Sequence, residues 1–198
     1  TSGRLGLSDT VHRSSPVQVG TLTNWKYVTT ASYGWVALKT DGTLWGTGTY
    51  PTPGSTLSSP VQIGYDTTWS SISAGVGHSV SLKTNGTLWA WGSNTSGELG
   101  IDSGIRYYSS PVQVGLLTSW KQAISGGNQC LAIADNGTLW AWGQNQYGQL
   151  GLLDVAHRSS PTQVGSLTSW KQVGKGGTYH SGAVMTDGTL WMFGNNTN

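Results

Sequence analysis

Four histidines, one cysteine and eight carboxylates are the groups in this 198-residue chain that could move a proton, attack a carbonyl carbon or hold a metal. Their placement argues against all three. His78 and His180 stand eight residues before Gly86 and Gly188, and the matching places before Gly42 and Gly137 hold Gly34 and Gln129. A general base or metal ligand would not trade places with glycine, so a structural hydrogen bond is the expected role. His12 and His157 share another frame, Asp-x-x-His-Arg-Ser-Ser-Pro, at Asp9–Pro16 and Asp154–Pro161. Neither has a neighbour at metal-ligand spacing. Asp41, Asp135 and Asp187 sit at or beside glycine turns, where a carboxylate shapes the backbone. Glu98, the one glutamate, has Gln149 as its counterpart, so no paired-carboxylate signature points to glycan chemistry. Cys130 occupies a place where other units have serine, and core filling is expected there rather than nucleophilic attack. Gly-x-Ser-x-Gly elbows, phosphate loops and Cys-x-x-Cys pairs do not occur. The expectation is a protein that is not an enzyme and uses neither metal nor cofactor.

These residues hang on a repeat. Gly-Thr-Leu-Trp begins at residues 42, 86, 137 and 188, in steps of 44, 51 and 51. Pro16, Pro60, Pro111 and Pro161 keep the same rhythm, as do Trp25, Trp69, Trp120 and Trp170. Such periods mark propellers, solenoids or arrays. Each unit reads as a proline-bearing outer edge strand, a turn, a second strand that starts near the lone Trp, a glycine bend, and a hairpin. No stretch carries apolar residues at helical spacing over three turns. The predicted fold is all-β, a β-propeller of four-stranded antiparallel blades with four repeats of about 50 residues. It forms one domain, 1–198, with units at about 16–48, 60–92, 111–143 and 161–194.

Asp41-Gly42, Asn85-Gly86, Asn136-Gly137 and Asp187-Gly188 are the residue pairs favoured in type I′ hairpins, so Gly86 and Gly137 are expected at positive φ. A two-residue loop at Asn85-Gly86 would set Val80 opposite Trp91 and Leu82 opposite Trp89, with all four on one face. Ser79, Ser81 and Ala90 would share the other face with Leu88. Large faces stacked on small ones would bury the blades against each other. Trp89, Trp91, Trp140 and Trp142 are the predicted packing residues.

Trp-x-x-(Val/Ile)-x-x-Gly, then His-Ser, then Asn-Gly-Thr-Leu-Trp-Ala-Trp-Gly-x-Asn-x-x-Gly-x-Leu-Gly resembles the repeat of the regulator of chromosome condensation family. Trp69–Gly100 and Trp120–Gly151 match it best, and the likeness runs over essentially the whole chain. The resemblance implies a propeller, commonly of seven blades, and these units look like its bacterial or phage-borne versions. The first unit departs from the pattern. It reads Gly46-Thr47-Gly48-Thr49-Tyr50-Pro51-Thr52-Pro53 after Trp45, and Trp35 replaces the Ser79, Cys130 and Ser181 of its relatives. An exchange of large for small between Trp35 and Gly46 is expected.

The units differ most just before each proline: His12-Arg13, Thr56-Leu57, Tyr107-Tyr108 and His157-Arg158. Loops of one rigid scaffold that vary in Arg, Tyr and His have the make-up of a recognition surface. The expected function is a non-catalytic binding or structural propeller that presents His12, Arg13, Tyr107, Tyr108, His157 and Arg158 to a protein or glycan partner. The alternatives are a secreted inhibitor of an enzyme, a guanine-nucleotide exchange factor for a small GTPase, and a glycan-active enzyme. Only 9% of residues are charged, for a net +2, which gives no field for nucleic acid. No apolar run approaches 18 residues, so no membrane insertion is expected. Loops rich in Ser, Thr and Asn favour an extracellular, cell-surface or virion location. Joined end to end, Trp191–Asn198 and Thr1–Gly6 nearly rebuild the loop Trp89–Gly100. The terminal blades are therefore expected to be covered, by further repeats or by other copies of this chain in a head-to-tail homo-oligomer.

Overall fold

The computed structural model describes residues 3–48 and 57–197. The Thr49–Pro53 stretch of the first unit and Thr56 lie outside them. The described residues form fifteen strands and no helix. The first sheet holds β1 (Trp25–Ala31), β2 (Gly34–Lys39), β3 (Leu44–Gly48) and β4 (Leu57–Gln62). The second holds β5 (Ser73–Ala74), β6 (His78–Leu82), β7 (Leu88–Ser93) and β8 (Tyr107–Gln113), and the third β9 (Trp120–Ser125), β10 (Gln129–Ala134), β11 (Leu139–Gly143) and β12 (Arg158–Gln163). The fourth has three strands, β13 (Trp170–Val173), β14 (His180–Met185) and β15 (Leu190–Gly194). Neighbours are antiparallel and spatial order follows chain order. The proline-bearing outer strand therefore belongs to the sheet that precedes it in sequence, and each sequence unit is offset from its blade by one strand.

The Asn-Gly-Thr-Leu-Trp motif is a chain of hydrogen bonds. The Asn85 carboxamide oxygen accepts from the Thr87 amide (3.2 Å) and hydroxyl (2.7 Å), and the Thr87 hydroxyl accepts from Trp89 Nε1 (2.9 Å). Asp41, Asn136 and Asp187 make the same relay through Thr43, Thr138 and Thr189 to Trp45, Trp140 and Trp191. Each relayed indole then meets the lone Trp of its unit edge to face, with Trp69 and Trp89 centroids 6.0 Å apart and Trp120 and Trp140 5.9 Å apart.

The turn itself corrects the expected register. Gly86 and Gly137 have φ of +76° and +78°, but Asn85 and Asn136 are not in the left-handed region, as type I′ would require. The Gly86 amide bonds the Lys83 carbonyl, and Lys83 pairs with Thr87 around it. This is a three-residue loop, a type I turn closed by a left-handed glycine. One extra loop residue moves the pairing by one and exchanges the faces. Ser79 lies opposite Trp91, Val80 opposite Ala90, Ser81 opposite Trp89 and Leu82 opposite Leu88. Tryptophans thus share a face with serines, and the aliphatic side chains hold the other.

Those two faces make the core. Val80, Leu82, Leu88, Ala90 and Val114 of the second blade pack on Trp120, Ala132, Cys130 and Trp142 of the third. Val36, Leu38 and Leu44 of the first meet Trp69 and Trp91 of the second, and Leu131, Ile133 and Leu139 of the third meet Trp170 and Ala183 of the fourth. At each of the three interfaces the Trp face of one blade meets the aliphatic face of the blade before it. Small Ser, Cys and Ala residues beside the indoles leave the room into which the neighbour's Leu and Val fit. Trp91 and Trp142 are fully buried, while Trp89 and Trp140 are half-buried.

Trp35 exchanges with Thr47, not Gly46. In the third blade Trp142 Nε1 donates to the Glu98 carbonyl (2.9 Å), the Cys130 thiol lies against the same oxygen (3.4 Å), and the Gly100 Cα faces the indole. In the first blade the Thr47 hydroxyl donates to the Arg4 carbonyl (3.1 Å), Trp35 Nε1 to the Leu5 carbonyl (3.2 Å), and Gly6 faces both side chains. The indole comes from the adjacent strand and fills the same volume.

Candidate functional site

Strand direction sorts the connections onto two ends. The β2–β3 type of hairpin and the links between blades lie at one end; the glycine bends and the long loops 94–106 and 144–157 lie at the other. All four arginines, Arg4, Arg13, Arg106 and Arg158, belong to this loop end together with Lys175, whereas the other five lysines lie at the hairpin end.

A buried asparagine shapes each long loop. The Asn94 carboxamide oxygen accepts from the Leu99 amide (3.1 Å) and its nitrogen donates to the Ile105 carbonyl (3.0 Å). Asn145 does the same with the Leu150 amide (2.9 Å) and the Asp154 carbonyl (3.0 Å). Two bonds from one side chain pin the loop's beginning, middle and end. Two positions beyond Gly100 and Gly151, Asp102 and Leu153 adopt positive φ, and Ser8, two beyond Gly6 in the N-terminal segment, does likewise. The sequence motif contained these asparagines, but their role shows only when the loop is closed.

His12 and Arg13 lie on the exposed N-terminal segment, Tyr107 and Tyr108 begin β8, and His157 and Arg158 stand at the start of β12. The two pairs on β8 and β12 occupy corresponding places of the second and third blades, while His12 and Arg13 join no sheet. Arg13 pairs with Asp9 and Arg158 with Asp154, each at 2.5 Å, and each guanidinium also reaches a carbonyl of its own loop, Val11 (3.1 Å) and Ala156 (2.9 Å). The Val11 amide and then Arg13 hold Asp9 below the usual carboxylate range, and Arg158 and the Ala156 amide do so for Asp154. His157 Nδ1 accepts from the Asn145 amide (3.0 Å), and the Tyr108 hydroxyl meets Ser103 Oγ (2.9 Å). Tyr107 is half-buried, and burial raises its phenol. These side chains form a stiff rim rather than one cluster.

Closer to the axis, the glycine bends bond from blade to blade: the Val76 amide to the Gly127 carbonyl (2.9 Å) and the Gly127 amide to the Gly177 carbonyl (3.2 Å). They surround a cavity of about 320 Å³ reached by residues 30–32, 74–76, 126–127 and 175–178, with Lys175 Nζ 3.5 Å from the Thr30 carbonyl. Tyr147 and Tyr179 meet edge to face at 5.0 Å across the third and fourth blades. Sequence reading did not single out Lys175 or these tyrosines, because residues so far apart in the chain carry no local sign of meeting. Among the described residues no three His, Cys, Asp or Glu are placed to hold a metal. Glu98 is buried and accepts from the Ser96 amide (2.7 Å).

The regulator of chromosome condensation (RCC1) repeat model matches residues 85–133 and 136–184, and a second model of that repeat matches 69–98. The chain belongs to the regulator of chromosome condensation repeat family. Its fold is similar to human WBSCR16, with a TM-score of 0.82 at 18% identity over 98% of this chain and 55% of that one. Yeast RCC1 (Prp20) bound to Kap60 gives 0.72 at 23% over 83% and 40%, and Prp20p from Saccharomyces cerevisiae 0.71 at 23% over 83% and 42%. This RCC1-repeat chain spans about half the length of the first and about two-fifths of the others. No curated protein matches it.

Within the RCC1-repeat core, His78 is fully buried, its Nε2 3.1 Å from Cys130 Sγ, and burial lowers its pKa to about 4. Burial likewise pushes the Cys130 thiol up. The unfolded His78, with an ordinary pKa near 6.5, takes a proton that the folded one refuses. Stability is thus complete above about pH 6.5 and declines as pH falls toward 4, by about 2–3 kcal/mol. Urea unfolding at pH 7 and pH 4.5 measures this. In His78→Gln, which copies Gln129 of the next blade, the decline should be that much smaller; an unchanged decline would assign it elsewhere.

Proposed function

We propose that this chain is a non-catalytic binding propeller whose loop end recognises a protein partner. The observation that carries the reading is the contrast between frame and tip. Asn94 and Asn145 hold two loops in the same way, while the tips present Tyr107-Tyr108 in one blade and His157-Arg158 in the next. A constant frame with different aromatic and cationic tips presents chemistry at little entropic cost to a partner, since the side chains are already ordered. Analogy favours a protein over a glycan: the structure of yeast Prp20p is described with its binding to Gsp1p and histones, and another with Kap60. Loops rich in Ser, Thr and Asn agree with an exterior location on a cell or virion. An exchange-factor role has no better support here, since Asp9, Asp154 and Glu98 are each held within their own loops.

The test is quantitative affinity capture from the native source with the wild-type chain and with Arg13→Ala/Tyr107→Ala/Tyr108→Ala/Arg158→Ala. A partner should be depleted more than tenfold by the quadruple variant and retained by Lys121→Ala/Lys171→Ala at the opposite end. If no protein distinguishes the two variants, the loop end is not the binding surface.

A further inference from the structure

Two of the four hairpin turns carry a residue pair that breaks down spontaneously in water. Asn85 and Asn136 are exposed, and the glycine that follows each has no Cβ to shield its amide nitrogen. In deamidation that nitrogen gives up its proton, bonds to the asparagine Cγ and expels the carboxamide nitrogen as ammonia. Water then opens the imide at one of its two carbonyls. One opening leaves aspartate; the other leaves isoaspartate, with an extra methylene in the backbone. Asparagine counts among the thermolabile residues for this reason.

The fold tells the two products apart. Asp41 and Asp187 hold the same place in the first and fourth blades. They accept from the Thr43 and Thr189 amides (3.0 and 2.9 Å) and hydroxyls (2.7 Å), as the asparagines do in theirs. Aspartate at position 85 or 136 therefore rebuilds the turn. A methylene added after position 85 lengthens the loop that the Lys83–Thr87 pairing encloses, and the relay to Trp89 is lost.

The native turn keeps the reaction from starting. Ring closure needs the glycine nitrogen eclipsed with the asparagine Cβ. The asparagine, third in a type I turn, has ψ of about 0°, which is about 120° from that arrangement. Rotating ψ into place would swing the glycine peptide, and that peptide is held on both sides. The Gly86 amide donates to the Lys83 carbonyl (3.0 Å), and the Gly86 carbonyl accepts from the Trp120 amide of the next blade (3.1 Å). Gly137 is held in the same way by Ala134 (2.9 Å) and Trp170 (3.1 Å). The Thr118 and Thr168 carbonyls, on the lead-ins to the next blades, lie against the two glycines and leave no room for the swing. Half of each clamp thus comes from the following blade.

We propose that Asn85 and Asn136 are latent deamidation sites, closed while their blade touches the next and opened when the two part. Each turn then records the separation of its own interface as a covalent change. Asn85 reports on the second and third blades, Asn136 on the third and fourth. Because isoaspartate does not rebuild the turn, a transient opening becomes a lasting one. This inference does not depend on the loop end being a binding surface.

The test is peptide mass spectrometry of the full chain after incubation at mildly alkaline pH, native and unfolded in guanidinium chloride. Deamidation at both sites should be at least about tenfold slower in the native chain, since it waits on the small fraction of locally open molecules. Leu88→Val thins the face that the second blade sets on the third, and Leu139→Val the face that the third sets on the fourth. Leu88→Val should speed Asn85 at least about threefold more than Asn136, and Leu139→Val should reverse that preference, as local openings of separate interfaces require. Native rates equal to the unfolded ones, no acceleration in either variant, or equal acceleration of both sites would each overturn the proposal.

Discussion

Replacing Trp142 with alanine is expected to cost about 3–5 kcal/mol, the range for deleting a buried large aromatic side chain. The indole is fully buried between the second and third blades, tilted on Trp120 at a centroid distance of 6.4 Å. Its Nε1 donates to the Glu98 carbonyl, and Gly100 has no side chain because the ring occupies that space. Alanine would remove the ring's contacts, open a cavity that neither sheet can collapse into, and leave a buried carbonyl short of its donor. The first blade shows how the loss is offset, since Thr47 stands there with Trp35 across from it. Trp142→Thr combined with Cys130→Trp should therefore recover at least about 1 kcal/mol relative to Trp142→Thr alone, a coupling of the size seen for residues in contact. Urea unfolding of the single and double variants reads both values. A loss under about 1 kcal/mol for Trp142→Ala would show that the Trp face is not packed.

The second large effect is at a turn. Gly137→Ala should destabilise by about 2–5 kcal/mol, adding the left-handed penalty of about 1–2 to the cost of overpacking, about 1–3. Its φ is +78°, and a Cβ there would overlap the Thr168 carbonyl oxygen on the lead-in to the fourth blade. The Gly137 carbonyl also accepts from the Trp170 amide (3.1 Å), so the turn cannot retreat without breaking a bond between blades. Gly115 separates the two causes. It has φ of +62° with nothing within 4 Å of a built Cβ, and Gly115→Ala should cost only the conformational part, about 1–2 kcal/mol. Chemical denaturation of both variants checks the difference. Equal losses would mean that the hairpin turn does not press on the next blade.

The contrast between these positions marks what was legible in the chain. The repeat, the all-β class and the left-handed glycines at Gly86 and Gly137 come from local residue chemistry, and each unit restates it, so the sequence determined them. Turn length did not follow. A type I′ pair and a type I turn closed by a left-handed glycine both call for Asn-Gly, and only the sign of φ at Asn85 separates them. With a side-chain period of two, that one residue decided which face holds Trp91 and which holds Val80. The Trp35–Thr47 exchange was likewise half visible: the odd residues stood out, but their pairing across strands depends on the register. Asn94 and Asn145 stood in the repeated motif without showing which loop groups they bond, whereas Lys175 at the axis and the Tyr147–Tyr179 contact gave no local sign at all. They act between segments that are distant in the chain, and only closing the blades against one another brings such groups within a few ångströms.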